Sequence, residues 1–158
     1  MGSVLNIYKT CLKYPFGKWF FSRMICLKAP YFGSIKPLFI TLQPGYSKIY
    51  MKKRRSITNH FGTVHAIAMC NVSELVAGTM LEASIPKQMR WIPKGMTVAY
   101  LKQAKTDLVA ECSARVSAMD VAGDFPLEVE VRDTGGNEVF HATIVMYLSE
   151  KKPKTAVL

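Results

Sequence analysis

The spacing of apolar positions changes twice along the chain. Between residues 3 and 28, Leu5, Tyr8, Leu12, Phe16, Trp19, Phe20 and Met24 recur at intervals of three and four, the period of an amphipathic helix. Pro15 and Gly17 predict a break that divides this segment in two. Ala29 to Gly33 reads as a connector. Two short strands, 36–43 and 46–53, should follow, joined at Pro44-Gly45, a pair suited to a tight turn. In the second, Ile49 and Met51 alternate with Lys48, Tyr50 and Lys52. Residues 63–81 are then apolar almost all round, and such a helix belongs inside a sheet or against a second subunit.

After Ala83-Ser84-Ile85-Pro86 the period becomes two. Residues 96–105 predict one strand. Leu108, Ala110, Cys112, Ala114 and Val116 alternate with Glu111, Ser113, Arg115 and Ser117, and Leu127, Val129 and Val131 alternate with Glu128, Glu130 and Arg132. Both are half-buried strands by pattern. The turn Thr134-Gly135-Gly136-Asn137 returns the chain as a strand over 139–149, and residues 150–158 read as a basic, frayed tail. Hairpin connections argue for an antiparallel sheet and against a doubly wound parallel one. The expected class is α+β, one domain over residues 1–158 with a single buried central helix. For residues 3–28, packing over the edge or mouth of the core is preferred to anchoring at a membrane surface, because apolar helical stripes usually face a core.

The 158 residues are 49% hydrophobic and 20% charged, which suits an ordered domain rather than a disordered chain. A net charge of +10 favours anionic partners: nucleic acid, a membrane surface or a phosphorylated small molecule. No zinc-finger spacing or aromatic RNA-binding motif accompanies it, so nucleic acid is set aside. Cys11, Cys26, Cys70 and Cys112 form no CxxC pair, and with three histidines no metal site is expected. Free thiols in a reducing cytoplasm account for them. Lys9, Lys13, Lys18 and Arg23 interrupt the N-terminal segment, so neither a membrane span nor a secretory signal is expected. Asn6 stands where a myristoylation motif has Ser or Thr.

The candidate chemistry gathers around the central helix. A polar loop, Asn59-His60-Phe61-Gly62-Thr63-Val64-His65, feeds the helix, which carries one acid near its middle, Glu74. A charge among Val72, Leu75 and Val76 calls for a cation partner, an exit to the surface or a functional role. Gly62 permits an unusual backbone angle or a close approach. Thr63 is placed to cap the helix, and Asn59 either makes a local turn or binds a carbonyl or water. No Gly-x-Ser-x-Gly elbow is present, and His141 has no evident partner.

A long helix wrapped by an antiparallel sheet and entered through Asn59-x-x-Gly62-x-x-His65 resembles the hotdog fold of acyl-CoA thioesterases, with an acid nine residues after the histidine at Glu74. In the phenylacetyl-CoA thioesterase branch the pattern reads His-Gly-Gly, then Asp or Glu nine residues after the His. The phrases Trp91-Ile92-Pro93-Lys94-Gly95-Met96 and Pro30-Tyr31-Phe32-Gly33 look like a less characterised thioesterase-like branch. The resemblance covers nearly the whole chain. It implies a hotdog fold with an extra N-terminal helix, hydrolysis of an acyl-CoA thioester, and no cofactor beyond the CoA of the substrate.

Glu74 would activate water or attack the carbonyl, His65 would orient the thioester or hold the loop, and Asn59 would bind a carbonyl or water. Backbone N–H groups at Ala66 and Ile67, presented beside Gly62, would polarise the carbonyl. Lys53, Arg54, Arg55, Arg90 and Lys94 are candidates for the CoA phosphates. Ala66-Ile67 stands where that branch has Gly-Gly, and Ile67 narrows the approach to its own N–H.

Nine residues advance a regular helix by about 13.5 Å and end roughly half a turn out of phase. His65 and Glu74 of one chain therefore cannot meet on one thioester. Antiparallel helices of a two-fold dimer can bring His65 of one chain to Glu74 of the other, giving two composite sites in a homodimer that could assemble further into a tetramer. The alternative is a hotdog module that binds acyl-CoA or an acyl chain without turnover. A hydroxyacyl dehydratase, which uses the fourteen-residue spacing from His60 to Glu74, ranks lower because Gly62-Thr63-Val64 replaces the proline-rich loop of those enzymes.

Overall fold

The computed structural model describes residues 3–151; residues 152–158, most of the expected basic tail, lie outside the described residues. Helices α1 (Ser3–Cys11) and α2 (Gly17–Lys28) lead through a 3-10 turn at Pro30–Ile35 into β1 (Leu38–Gln43) and β2 (Tyr46–Met51). The long helix α3 (Ala66–Ser84) precedes β3 (Met89–Tyr100), β4 (Leu108–Ser113), β5 (Gly123–Asp133) and β6 (Glu138–Glu150). One six-stranded sheet has the order β1-β2-β4-β5-β6-β3, with every neighbouring pair antiparallel. The α+β class is as the patterning predicts.

Alternation along the strands makes the sheet two-faced. Ile49, Met51, Leu108, Ala110, Val129, Val131, Ala142 and Ile144 are buried beneath the sheet, each large side chain contributing about 1.5–3 kcal/mol. The outer face is polar: Tyr46 Oη donates to Glu111 at 2.6 Å and Lys48 pairs with the same carboxylate at 2.8 Å. The sheet curls around α3, which touches all six strands. By length and composition α3 could also cross a membrane, contrary to the expectation that no run would qualify. With 67% of that stretch buried inside the fold, it serves as the core helix.

Several boundaries differ from expectation. Helix α3 starts at Ala66 rather than residue 63, because the preceding backbone is committed to extended pairing: Thr58 bridges Val64, the Val64 N–H donates to Ala104 O, and the His65 N–H donates to Ile57 O at 2.8 Å. Strand β3 begins at Met89 and ends at Tyr100, displaced toward the N-terminus from the expected 96–105. Pro93 is accommodated in a bulge between Pro93 and Gly95, which an edge strand tolerates since its outer N–H needs no partner. Strand β4 ends at Ser113, and Val116 falls in a 3-10 turn with its side chain exposed. The expected tail also starts late, for Glu150 ends β6 and the Lys151 N–H donates to Gln88 O.

Helices α1 and α2 pack over α3 and the β1 edge. Leu5, Tyr8 and Phe21 are buried, with Phe21 edge-on to both Tyr8 and Phe39. Their side chains also bond the edge itself. Tyr8 Oη donates to Ile40 O, Arg23 Nη2 donates to Pro37 O, and Ser22 Oγ accepts from the Phe39 N–H at 2.9 Å. No segment covers β3 on the opposite edge among the described residues.

Candidate functional site

The loop before α3 is built from its own side chains. Asn59 Oδ1 accepts from the Phe61 N–H at 3.0 Å and the Thr63 N–H at 3.2 Å, while its Nδ2 donates to Thr63 Oγ1. This is local turn-making, and it occupies both ends of the amide. Gly62 has φ +73°, and nothing lies within 4 Å of where a Cβ would stand. Of the two roles open to that glycine, the backbone angle is the one in use. Thr63, engaged with Asn59, does not cap α3. His65 does, its Nδ1 accepting the Ile67 N–H at 3.1 Å. An accepting Nδ1 leaves the hydrogen of a neutral imidazole on Nε2, and the His65 side chain is exposed.

Glu74 is half-buried rather than fully enclosed. It opens on a cavity of about 290 Å³ that it lines together with Pro93, Lys94, Gly95, Met96 and Ile144. Among the described residues no cation pairs with it, so the structural role of a helix ion pair is not realised. Lys94, the nearest cation along the cavity wall, is paired with Asp124 at 2.7 Å and lies 5.7 Å from the centre of the Tyr147 ring. One helical turn beyond Glu74, Gly78 makes room for Trp91: a Cβ there would meet Trp91 Cη2 at 2.8 Å. Trp91 Nε1 donates to Glu82 at 3.0 Å, fixing β3 to α3 about two turns beyond Glu74. The placement of Pro93, Lys94 and Gly95 on the cavity wall depends on β3 starting at Met89, which the proline obscured.

Neither His65 nor His60 lines the Glu74 cavity; the His60 ring lies against Phe61 in the exposed loop. Two regions thus emerge in one chain: the start of α3 with Asn59, Gly62, His65, Ala66 and Ile67, and the Glu74 cavity against β3. The basic candidates divide the same way. The 3-10 turn Arg55–Ile57 is tied to the start of α3 through Ile57 O, and the Arg55 side chain is exposed. Lys53 Nζ donates to Lys105 O.

Arg54 is committed to structure, its guanidinium donating to Ile35 O and Ser34 O. Burial, then the nearby Arg23, lowers its proton affinity. Arg90 donates to Ser149, its cross-strand neighbour on β6. His141, expected to lack partners, has two: Glu138 at 2.7 Å and Glu128 at 2.8 Å. Those carboxylates raise its pKa above the ordinary histidine value, Glu138 most strongly. All four cysteines are free, with Cys11 and Cys112 buried, and burial pushes the Cys112 thiol up to about 12.

A sheet wrapped around one long helix in this strand order is the hotdog fold. Residues 17–148 match the family described as a domain of unknown function (DUF4442), and the chain belongs to that family. A structural-genomics target of solved structure is 42% identical, with a TM-score of 0.82 over 94% of this chain and 99% of its own. A Pseudomonas aeruginosa protein of unknown function, described as a probable thioesterase, is 21% identical, with a TM-score of 0.72 over 77% of this chain and 88% of its own. A hypothetical thioesterase from Streptococcus pneumoniae, solved with coenzyme A, is 15% identical, with a TM-score of 0.63 over 74% and 88%. No curated protein matches the chain.

Proposed function

We propose that the protein is an acyl-CoA thioesterase acting as a homodimer, with Glu74 of one protomer and the start of α3 of the other forming each site. The observation that carries this reading is Glu74 itself: an acid in the core helix, with no cation paired to it among the described residues, facing a cavity at the β3 edge of the sheet. Antiparallel pairing of β3 with β3 of a second copy would continue the sheet and close that edge. In the cytoplasmic dimer, Glu74 takes a proton from water as the water oxygen adds to the thioester carbonyl. The partner's Ala66 and Ile67 N–H groups stabilise the oxyanion, and the partner's His65, released from the Ile67 N–H, orients the thioester. Collapse of the tetrahedral intermediate breaks the C–S bond, and the departing CoA sulfur takes up the proton. Coenzyme A in the streptococcal relative supports the substrate class, and Arg55 and Lys94 are the cations best disposed toward its phosphates.

The second reading is an acyl-CoA binding module without turnover. It is favoured by one observation: the Ile67 N–H is already occupied by His65, and the Ile67 side chain stands 53% exposed over it. Free-thiol release across a panel of acyl-CoAs separates the two. Turnover should fall about 10²- to 10⁴-fold in Glu74→Gln, the range of a general base, whereas unchanged turnover removes this mechanism. Mixing inactive Glu74→Gln and His65→Ala chains should restore one intact site per heterodimer. Heterodimers that form and stay inactive rule out sharing of the site, and CoA binding without turnover establishes the module.

A further inference from the structure

Away from Glu74, the turn between α1 and α2 carries a second distinctive surface. Tyr14, Phe16, Trp19 and Phe20 are exposed there, Phe16 by 85% and Trp19 by 57%. With Pro15 and Gly17 they line an apolar groove of about 460 Å³. Single exposed apolar residues are ordinary, but a contiguous group marks an interaction site. The group is not a core face left uncovered, because Leu5, Tyr8 and Phe21 of the same helices are buried.

The turn is held rigidly. The Tyr14 N–H donates to Cys11 O, the Gly17 N–H donates to Tyr14 O, and Cys11 O lies 2.0 Å from where a Cβ on Gly17 would stand. Phe16 is left-handed at φ 60°, a strained conformation for an aromatic residue.

The charge around this tip has one sign. Lys9, Lys13 and Lys18 are exposed beside it and form no ion pair among the described residues. The chain's 11 Asp and Glu all lie at or beyond Glu74, so α1, α2, β1 and β2 contain no acid at all. The core of a protein–protein contact is depleted of lysine. Amphipathic aromatics with a border of unpaired lysines match instead the interface of an anionic bilayer, where Trp and Tyr rest among the headgroups and lysines meet lipid phosphates.

We propose that the α1–α2 tip docks the protein on an anionic lipid bilayer. Phe16, Trp19 and Phe20 enter the headgroup–acyl boundary, and Lys9, Lys13 and Lys18 contact the phosphates. The docking is independent of whether the Glu74 site turns over.

The intact chain is sedimented with vesicles of phosphatidylcholine containing about one-third phosphatidylglycerol, and with phosphatidylcholine alone. Binding to the anionic vesicles only is expected. Lys13→Glu/Lys18→Glu should weaken it at least ~25-fold, about fivefold for each lysine lost. Phe16→Ser/Trp19→Ser should abolish most of it at an unchanged melting temperature. Tryptophan emission should shift to the blue on anionic vesicles, and in Trp19→Phe the shift should vanish while sedimentation persists. The proposal is overturned if neither vesicle sediments the protein, if both double variants bind like the parent, if the shift survives in Trp19→Phe, or if Phe16→Ser/Trp19→Ser dissociates an oligomer instead.

Discussion

The two edges of the sheet receive opposite treatment. At β1, six residues long, Tyr8 and Ser22 bond the strand backbone, Arg23 bonds Pro37 O just before it, and Phe21 packs on Phe39. At β3, twelve residues long, backbone bonding among the described residues runs to β6 on one side alone, and Ile92 and Tyr100 stand more than half exposed. An uncovered edge is a template for another strand, and proteins usually blunt it. This chain blunts β1 with its N-terminal helices and leaves β3 open next to the Glu74 cavity. The difference assigns the helices a protective as well as a packing task, and it makes β3 the edge at which the proposed dimer would pair.

The sharpest way to break that contrast is to blunt β3 as nature blunts edges, with lysine. Thr97 and Ala99 are exposed on β3, opposite Thr143 and His141 of β6. In a β3–β3 dimer, Thr97→Lys/Ala99→Lys sets like charges against each other across the two-fold axis at a cost of several kcal/mol. The dimer dissociation constant, measured by sedimentation equilibrium, should rise roughly 100-fold or more. Thioester turnover should fall with it, while the monomer stays folded. A dimer that survives the change pairs through some other face.

The covered edge should answer differently. Ser22→Ala removes the acceptor of the buried Phe39 N–H and leaves that donor unpaired, which costs about 1–3 kcal/mol. Thermal unfolding should shift down by roughly 2–10 °C with the oligomeric state unaltered. A change in assembly instead would mean that β1 is also an association edge.

The alternating strands were legible because each buries one face: Ile49 and Met51, Leu108 to Cys112, and Leu127 to Val131 needed only a period of two. The central helix and its odd acid were legible for a different reason: residues 63–81 are apolar almost all round, and Glu74 is the exception. What escaped was decided by distant partners. His65 displaces Thr63 as the cap because Ile57 and Ala104 hold the preceding backbone extended. Pro93 reads as a break when nothing tells that its strand lies on an edge. Arg54 looks like a surface cation, yet its guanidinium is spent on Ser34 and Ile35. Whether Glu74 meets a cation or a cavity depends on where β3 lies, and cross-strand register supplied Glu128 as a partner of His141, while Glu138 lies three residues earlier on the same strand.

His141 gives the smallest effect and ties it to the open edge, since it lies on β6 directly across from Ala99. Glu138 and Glu128 raise its pKa, so the folded chain holds this proton more tightly than the unfolded chain does. The resulting stabilisation is complete below the ordinary histidine value of 6.5 and is lost as pH rises through the raised value. With the histidine and Glu128 partly in solvent, the amplitude is small. Following the ring proton by NMR, the midpoint should drop in Glu138→Gln and less in Glu128→Gln. Ala99→Lys should lower it too, by placing a cation opposite the imidazolium, even in a chain that has become monomeric. A midpoint indifferent to Ala99→Lys would mean that β3 does not hold its register against β6 up to this position, and the open edge would then be shorter than twelve residues.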